Sequence, residues 1–265
     1  VLFEEDFEGV ELGASVDERV SGEEVWSKTG PEGWTIDDSG VPGAGDPDND
    51  GVTEWAGWSF ASIDWWVETA EDQGRSQFTA GSGTALIADG DEWDDISPRA
   101  EGNQTTYIST PAIDITGVLP GSLVLTFDSS YAADGGQESG TVDVSYDDGA
   151  TWNQILLWNR ANTPQDKNYE SVALRVTDTP ADAASAKFRF GYINVGNNWW
   201  FAIDNILVHG SKSFWTEDFE SVELGPNVDE GVSGEEVWSK TGPEGWTIDD
   251  SGVPGAGDPD NDGVT

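Results

Sequence analysis

The segment at 1–53 returns at 213–265, and this internal match bounds what the chain can fold into. Laid over itself at an offset of 212, the sequence agrees at 45 of 53 positions, and every difference falls within the first twenty. From 21 to 53 the identity with 233–265 is unbroken. Residues 54–212 have no second copy, so the repeating unit is a whole domain rather than the few tens of residues of a solenoid repeat. The expected organisation is a complete domain at 1–212 followed by the N-terminal quarter of the next copy at 213–265, in tandem. The joint, residues 209–212 (His-Gly-Ser-Lys), is short, so successive domains are expected to sit close together. A chain that starts at Val1 and breaks off inside a copy is expected to be part of something longer.

Within the unit, strand signals dominate. Runs at 123–127, 141–146, 171–176 and 187–193 are β-branched or aromatic, and several alternate apolar with polar residues as half-buried strands do. Further strands are predicted at 3–8, 33–37, 84–88, 106–109, 154–158 and 199–208, with Asp/Gly turns such as Asp134-Gly135-Gly136 between runs. No window carries helical periodicity with caps, and 181–186, after Pro180, is read as one short turn. About ten strands with this punctuation predict an all-β fold, an antiparallel two-sheet jelly-roll sandwich. The stretch from 36 to 105 differs, being rich in Gly, Asp and Trp with little strand pattern. Loops of that length inside a domain are usually functional or stapled by metal.

Charge narrows the partners. With 52 acidic and 11 basic residues the formal charge is −41, which excludes nucleic acid, since phosphate binding needs clustered Lys and Arg. It suits an anionic membrane equally badly, and no apolar run approaches the ~18 residues of a membrane span. Fourteen Trp argue against disorder, and the absence of Cys removes any disulfide scaffold. Such self-repulsion calls for divalent cations or salt, although a solvated acidic surface that keeps a secreted protein soluble is the plainer reading of most of the acids.

The sharpest metal signal is Asp46-Pro47-Asp48-Asn49-Asp50-Gly51-Val52-Thr53-Glu54. Asp46, Asp48 and Asp50 stand at the first, third and fifth places of a calcium loop, Gly51 turns the chain, the Val52 carbonyl can add a ligand, and Glu54 takes the ninth place. The bidentate Glu expected at the twelfth place is missing, since Gly57 stands there, so the loop is not an EF-hand; the alternative is an acidic turn. The loop recurs at Asp258, Asp260 and Asp262. A second cluster around Asp89 and Asp91 offers either another calcium (Ca2+) site or an exposed acidic loop. Glu8 and Asp204, on the first and last predicted strands, form a third candidate pair if the sandwich brings its ends together.

Three further features complete the reading. Ser145-Tyr146-Asp147-Asp148-Gly149-Ala150-Thr151-Trp152 matches the Asp-box pattern, which is physically a hairpin whose side chains bond its own turn. A sialidase would need several such boxes and an arginine cluster, so the structural role is favoured. Trp55, Trp58, Trp65 and Trp66 are candidates for a sugar-stacking platform, against the alternative of core or loop packing. The one histidine, His209, lies in the joint, and with no Cys and no catalytic triad in reach the chain is read as no enzyme.

Several short strings carry a resemblance. Glu5-Asp6-Phe7-Glu8, Gly33-Trp34-Thr35-Ile36-Asp37-Asp38, Tyr107-Ile108-Ser109-Thr110-Pro111-Ala112-Ile113-Asp114 and Phe201-Ala202-Ile203-Asp204-Asn205-Ile206 make the unit resemble the jelly-roll modules of bacterial cleaved-adhesin and MAM-like domains. A jelly roll with an Asp-box hairpin is also similar to reelin-type repeats. In such families calcium is commonly structural, which implies Glu8 and Asp204 as ligands; the acidic insertion at 38–105 departs from their pattern. The resulting expectation is a calcium-stabilised extracellular or cell-surface protein whose partners are neighbouring repeats or copies of itself in a fibre or filament. The alternatives are a carbohydrate-binding adhesin module, with glycans as partners, or an accessory domain of a large secreted hydrolase.

Overall fold

A computed structural model describes residues 1–18, 24–43, 51–94, 102–134, 136–161, 167–212, 218–226 and 234–249. The chain divides into two units, Val1–Lys212 and Ser213–Thr265. In the first, β1 (Phe3–Glu5), β2 (Gly13–Ala14), β3 (Glu24–Ser27) and β4 (Thr35–Gly40) come from the segment that recurs. They are followed by β5 (Ser59–Ser62), α1 (Ile63–Thr69), β6 (Thr84–Asp89), α2 (Gly90–Trp93), β7 (Gln104–Ser109) and β8 (Ile113–Asp114). The remaining strands are β9 (Leu123–Tyr131), β10 (Ser139–Ser145), β11 (Asn153–Asn159), β12 (Lys167–Val176), β13 (Ser185–Val195) and β14 (Trp200–His209).

Two antiparallel sheets form a jelly-roll-like sandwich. One runs β12-β9-β14-β6-β5-β3-β2, with β1 on the lower half of β14; the other runs β11-β10-β13-β7-β4, with β8 on β13. Along β9, Leu123, Leu125 and Phe127 are buried while Val124, Thr126 and Asp128 are half-buried, the period of two that sends alternate residues to one face. Phe188, Phe190 and Tyr192 of β13 meet them from the opposite sheet, and the Phe127 and Phe190 rings stand edge to face with centroids 5.3 Å apart. Each such side chain contributes about 1.5–3 kcal/mol by leaving water.

Every run predicted as a strand overlaps one, although β1 ends at Glu5 where the prediction ran to residue 8 and β4 begins at Thr35 where it began at 33. Four short strands, β2, β3, β5 and β8, escaped prediction, as did both helices, α1 and α2. Ala181 and Asp182 do form a turn. The larger surprise is the stretch read as a functional loop. Residues 51–57, 63–83 and 90–94 make a third layer on the outer face of the larger sheet, sharing with Trp200 of that sheet a core of Trp55, Trp65, Trp66 and Trp93. All six residues of β6 are consequently buried: Leu86 and Ala88 face the inter-sheet core, Ala85 and Ile87 the tryptophan layer. Ser62 caps α1 by accepting from the Trp65 N–H at 3.4 Å, and the helix presents Ile63, Trp65, Trp66 and Thr69 inward. Its seven residues are too few for a periodic signal to stand out.

In the second unit the described strands are β15 (Gly225–Pro226) and β16 (Glu236–Trp238), paired antiparallel.

Candidate functional site

Glu8 and Asp204 stand at opposite ends of the first unit's sequence, yet both reach the turn that precedes β6. The Thr84 N–H donates to Glu8 Oε1 at 3.3 Å and the Ser82 N–H to Asp204 Oδ2 at 3.0 Å. The backbone is bent to make this possible. Phe7 has φ of 58° and Asn205 has φ of 52°, conformations that are uncommon for residues other than Gly and worth explaining at a bulky aromatic. Gly83, at φ of 58°, leaves room for the Glu8 carboxylate, which occupies the space a side chain would need. Asp204 is 1% exposed. Burial above all, with the charges of Glu8 and Asp128 added, pushes it up to about 6 despite the amides of Ser82 and Asn205 that favour its ionised form. No salt bridge to Glu8 or Asp204 occurs among the described residues.

Other acids expected at metal sites have different tasks. Glu54 is fully buried and accepts from the backbone N–H groups of Asp17 at 3.0 Å, of Glu18 at 3.4 Å and of Val16. Its oxygens are therefore engaged in tying residues 16–18 to the third layer. The Val52 carbonyl accepts from the Trp55 N–H at 3.0 Å, while the Val52 N–H donates to Trp93 O. Asp46, Asp48, Asp50, Asp258, Asp260 and Asp262 lie outside the described residues.

The cluster at Asp89 and Asp91 already holds a cation, the guanidinium of Arg75. Arg75 is fully buried, pairs with Asp89 at 2.8 and 3.1 Å and with Asp91 and Glu92 at 3.3 Å each, and lies 4.5 Å over the Trp200 ring. Asp89 also accepts from Trp66 Nε1 at 2.7 Å and caps α2 through the Glu92 N–H. Glu92, desolvated beside Asp89, is pushed up to about 9. Sequence reading missed this because Arg75 stands 14 residues before Asp89 with no motif to join them. Among the described residues no three carboxylates are grouped to hold an ion. Glu8 and Asp204 are a pair, and an ion there would draw its other ligands from backbone oxygens and water.

The proposed sugar platform does not survive as drawn. Trp55, Trp58 and Trp66 are 0% exposed and Trp65 4%, so these rings are core: Trp55 stacks on Trp65 at 5.3 Å, and Trp58 packs on Phe201 at 5.4 Å. Trp55, Trp65 and Trp66 fill the core of the third layer together with Phe78, Trp93 and Trp200, and Trp58 belongs to the inter-sheet core. An aromatic surface feature lies elsewhere. On the smaller sheet Arg189 is held between the rings of Tyr107, 4.2 Å away, and Trp152, 4.4 Å away, and its guanidinium pairs with Asp143 at 2.9 Å. All three stacked residues are half-buried.

Trp152 reaches that stack because the Asp box folds as a hairpin. Gly149 N donates to Ser145 Oγ at 2.8 Å, Thr151 N to Asp147 Oδ1 at 2.8 Å, and Gly149 takes φ of 90°. The Thr151 and Ser145 bonds hold Asp147 down at about 2. His209, read as part of the joint, is the last residue of β14.

No protein-family model and no curated protein matches the chain. Solved structures do show a likeness. The K1 cleaved adhesin domain of Lys-gingipain from Porphyromonas gingivalis W83 is 16% identical with a TM-score of 0.45, over 79% of this chain and 98% of that one. TmCBM61, solved in complex with β-1,4-galactotriose, is 10% identical with a TM-score of 0.38, over 68% and 90%. An apo cyclase from Fischerella sp. is 12% identical with a TM-score of 0.42, over 77% and 98%. At these identities and TM-scores the likeness brings no ligand, activity or family across to this chain.

Proposed function

We propose that this chain is a non-catalytic extracellular module with a structural and adhesive role, closed by calcium and joined to copies of itself in a surface fibre. The observation that carries the reading is the meeting of Glu8, just past the first strand, with Asp204 of the last strand at the 82–84 turn, with no cationic side chain among the described residues to balance them. Hard oxygen donors of this kind suit calcium. Bound there, the ion supplies charge balance and a staple between the entry and exit strands. Glu8 and Asp204 would hold it, while the amides of Ser82 and Thr84 keep both carboxylates aimed at one turn. A module that must transmit tension from one end to the other gains most from a staple at that place. The acidic loop at 46–54 is proposed as a second calcium site, with Asp46, Asp48 and Asp50 as its donors.

Calorimetric titration of the full chain with calcium tests the staple: uptake and a higher melting temperature are expected, both lost in Asp204→Asn. Electron microscopy of the native material tests the fibre, where regularly spaced filaments are expected and dispersed monomers would count against it.

A glycan-binding reading is favoured by one different observation, the Tyr107–Arg189–Trp152 stack on the smaller sheet. Half-exposed rings beside a fixed guanidinium and the Asp143 carboxylate offer both a stacking face and hydroxyl recognition. Binding on a glycan array that disappears in Trp152→Ala would establish it.

A further inference from the structure

The two sides of the first unit's sandwich differ sharply in charge. One side ends in β11 and β12, the outermost strands of the two sheets, and the opposite side ends in β4 and β2. Residues 149–177, which supply β11 and β12, contain two acids against three bases, a formal charge of +1. Residues 1–40, which supply β2 and β4, contain twelve acids against two bases, a charge of −10. Arg160 and Arg175 are exposed on the first side, and Glu11, Glu24 and Asp37 on the second. At physiological salt, exposed charges further apart than about 8 Å are largely screened. The side in contact, and not the total of −41, therefore decides what can approach.

The backbone of these sides is also built to continue. In the smaller sheet β11 has seven residues and β4 six, and among the described residues each is paired on one side only. An open strand edge of this kind accepts an added strand. The larger sheet is less suited, since β2 has two residues and a bulge between Lys167 and Glu170 blunts the start of β12. It offers instead a side chain and a hollow. Tyr169 of β12 is 54% exposed, and beside β2 lies a groove of about 460 Å³ lined by Leu12, Trp26, Ser27 and Lys28 among others.

Strand direction and register fit the two sides to each other. The smaller sheet has five strands along its path and the larger seven, with every neighbouring pair antiparallel. Because both numbers are odd, the two outermost strands of each sheet run the same way. A copy shifted sideways without being turned over thus brings its β4 to β11 and its β2 to β12 together. The rows of paired residues agree. From Gln154 a row passes through Asp143, Arg189 and Ser109 to Thr35. In the larger sheet the row from Glu170 passes through Ser129, Ile203, Leu86 and Phe60 to Ser27. Tyr169, next to Glu170, therefore stands level with the Ser27–Lys28 part of the groove on the shifted copy.

We infer that the β11–β12 side is a docking surface for the β2–β4 side of a second copy of this chain. In the contact β11 runs parallel to the neighbour's β4, with Gln154 beside Thr35, and Tyr169 enters the neighbour's groove. The inference deepens the fibre reading by naming the contact, and it rests on that reading. The two surfaces are different, so each docked copy leaves one side open and a line of copies grows without closing. A meeting of two β2–β4 sides would set −10 against −10. A meeting of two β11–β12 sides would leave Tyr169 without a groove.

The chain contains no Cys, so an introduced pair reports without background. Full-length protein carrying Gln154→Cys and Thr35→Cys, oxidised at rising concentration, should give a ladder of disulfide-linked multimers. Charge reversal then blocks one side at a time. Arg160→Glu with Arg175→Glu closes the β11–β12 side, and Glu11→Lys with Glu24→Lys and Asp37→Lys closes the other. All five positions are exposed, and each variant should melt as wild type does. In sedimentation each variant alone should associate at least about tenfold more weakly than wild type. An equal mixture of the two should form dimers and nothing larger, because only one pair of intact sides remains. Wild-type protein that stays monomeric, variants that associate as wild type does, or a mixture that grows past dimers would overturn the inference. Monomeric wild-type protein that binds dextran sulfate, with binding lost in the arginine variant, would also overturn it and assign the side to an acidic polysaccharide. If microscopy shows filaments that both charge variants still form, the fibre reading stands and the side contact falls. If filaments and ladder are both absent, both fall.

Discussion

The same 33-residue stretch, 21–53 and 233–265, is present twice in identical sequence, and its described parts sit in two different surroundings. What stays constant between them is local. Trp26 Nε1 donates to Ala14 O at 2.9 Å, and Trp238 Nε1 to Pro226 O at the same distance. Ser27 and Ser239 bond Thr29 O and Thr241 O at 3.1 and 3.0 Å. The positive φ of Phe7 reappears at Phe219, at 62°. What changes is everything that needs residues 54–212: Val25 is 8% exposed and Val237 54%, and half-buried Lys28 donates to Trp58 O at 2.8 Å and to Asp38 whereas Lys240 is exposed. Turns and short hairpins are thus written within a few dozen residues, and burial is conferred by the body.

Substitutions made in parallel at the two copies break or sharpen this contrast. The largest difference is expected at Phe7, where Phe7→Ala should lower the stability of the first unit by about 3–5 kcal/mol in denaturant titration. Phe219→Ala should leave that transition in place. Next comes the pairing of Glu8 with Asp204. Because the folded value of Asp204, about 6, lies above its ordinary 3.8, the fold prefers the protonated form. Metal-free stability should be complete below pH 4 and decline as pH rises through 6, by at most about 3 kcal/mol. Calcium should restore it above that pH, Asp204→Asn should flatten the profile, and Glu220→Gln should leave it unaltered. Third, Gly30→Ala would force the Phe60 ring to move and should cost about 1–3 kcal/mol, whereas Gly242→Ala faces only the Trp246 side chain and should cost less. Smallest is the indole bond of the hairpin: Trp26→Phe should cost about 0.5–1.5 kcal/mol, and Trp238→Phe should register only in amide exchange of Glu236 and its neighbours.

Much of the sandwich was legible because its strands alternate. Phe188, Phe190 and Tyr192 announce a buried face in the order of their residues, and the Asp box announces its hairpin. The third layer was not legible for a physical reason. Its core is assembled from indoles contributed by a helix of seven residues, a turn, the short helix α2 and one strand, so no single window carries the pattern. The acids misled in the same way. Asp89 and Glu54 look like metal ligands by spacing, but whether a carboxylate faces an ion, an arginine or three amides depends on chain segments far away in sequence. Glu8 and Asp204, 196 positions apart, were paired by resemblance and by the guess that strand ends meet. The Arg189 stack had no sequence signal beyond the tryptophan of the Asp box.

The pairing of β1 with β14 has a mechanical side. Phe3 lies opposite Val208 in antiparallel register, so the chain enters and leaves the first unit at the same end of the same pair of strands. A pull on the two ends in opposite directions would part those strands like a zipper, meeting the hydrogen bonds one after another instead of all at once. The unit would yield at low force and lengthen, with a calcium ion at Glu8 and Asp204 acting as the stop just inside the opening. A stalk built this way would behave as a shock absorber, giving length under sudden strain before anything within the sandwich is disturbed.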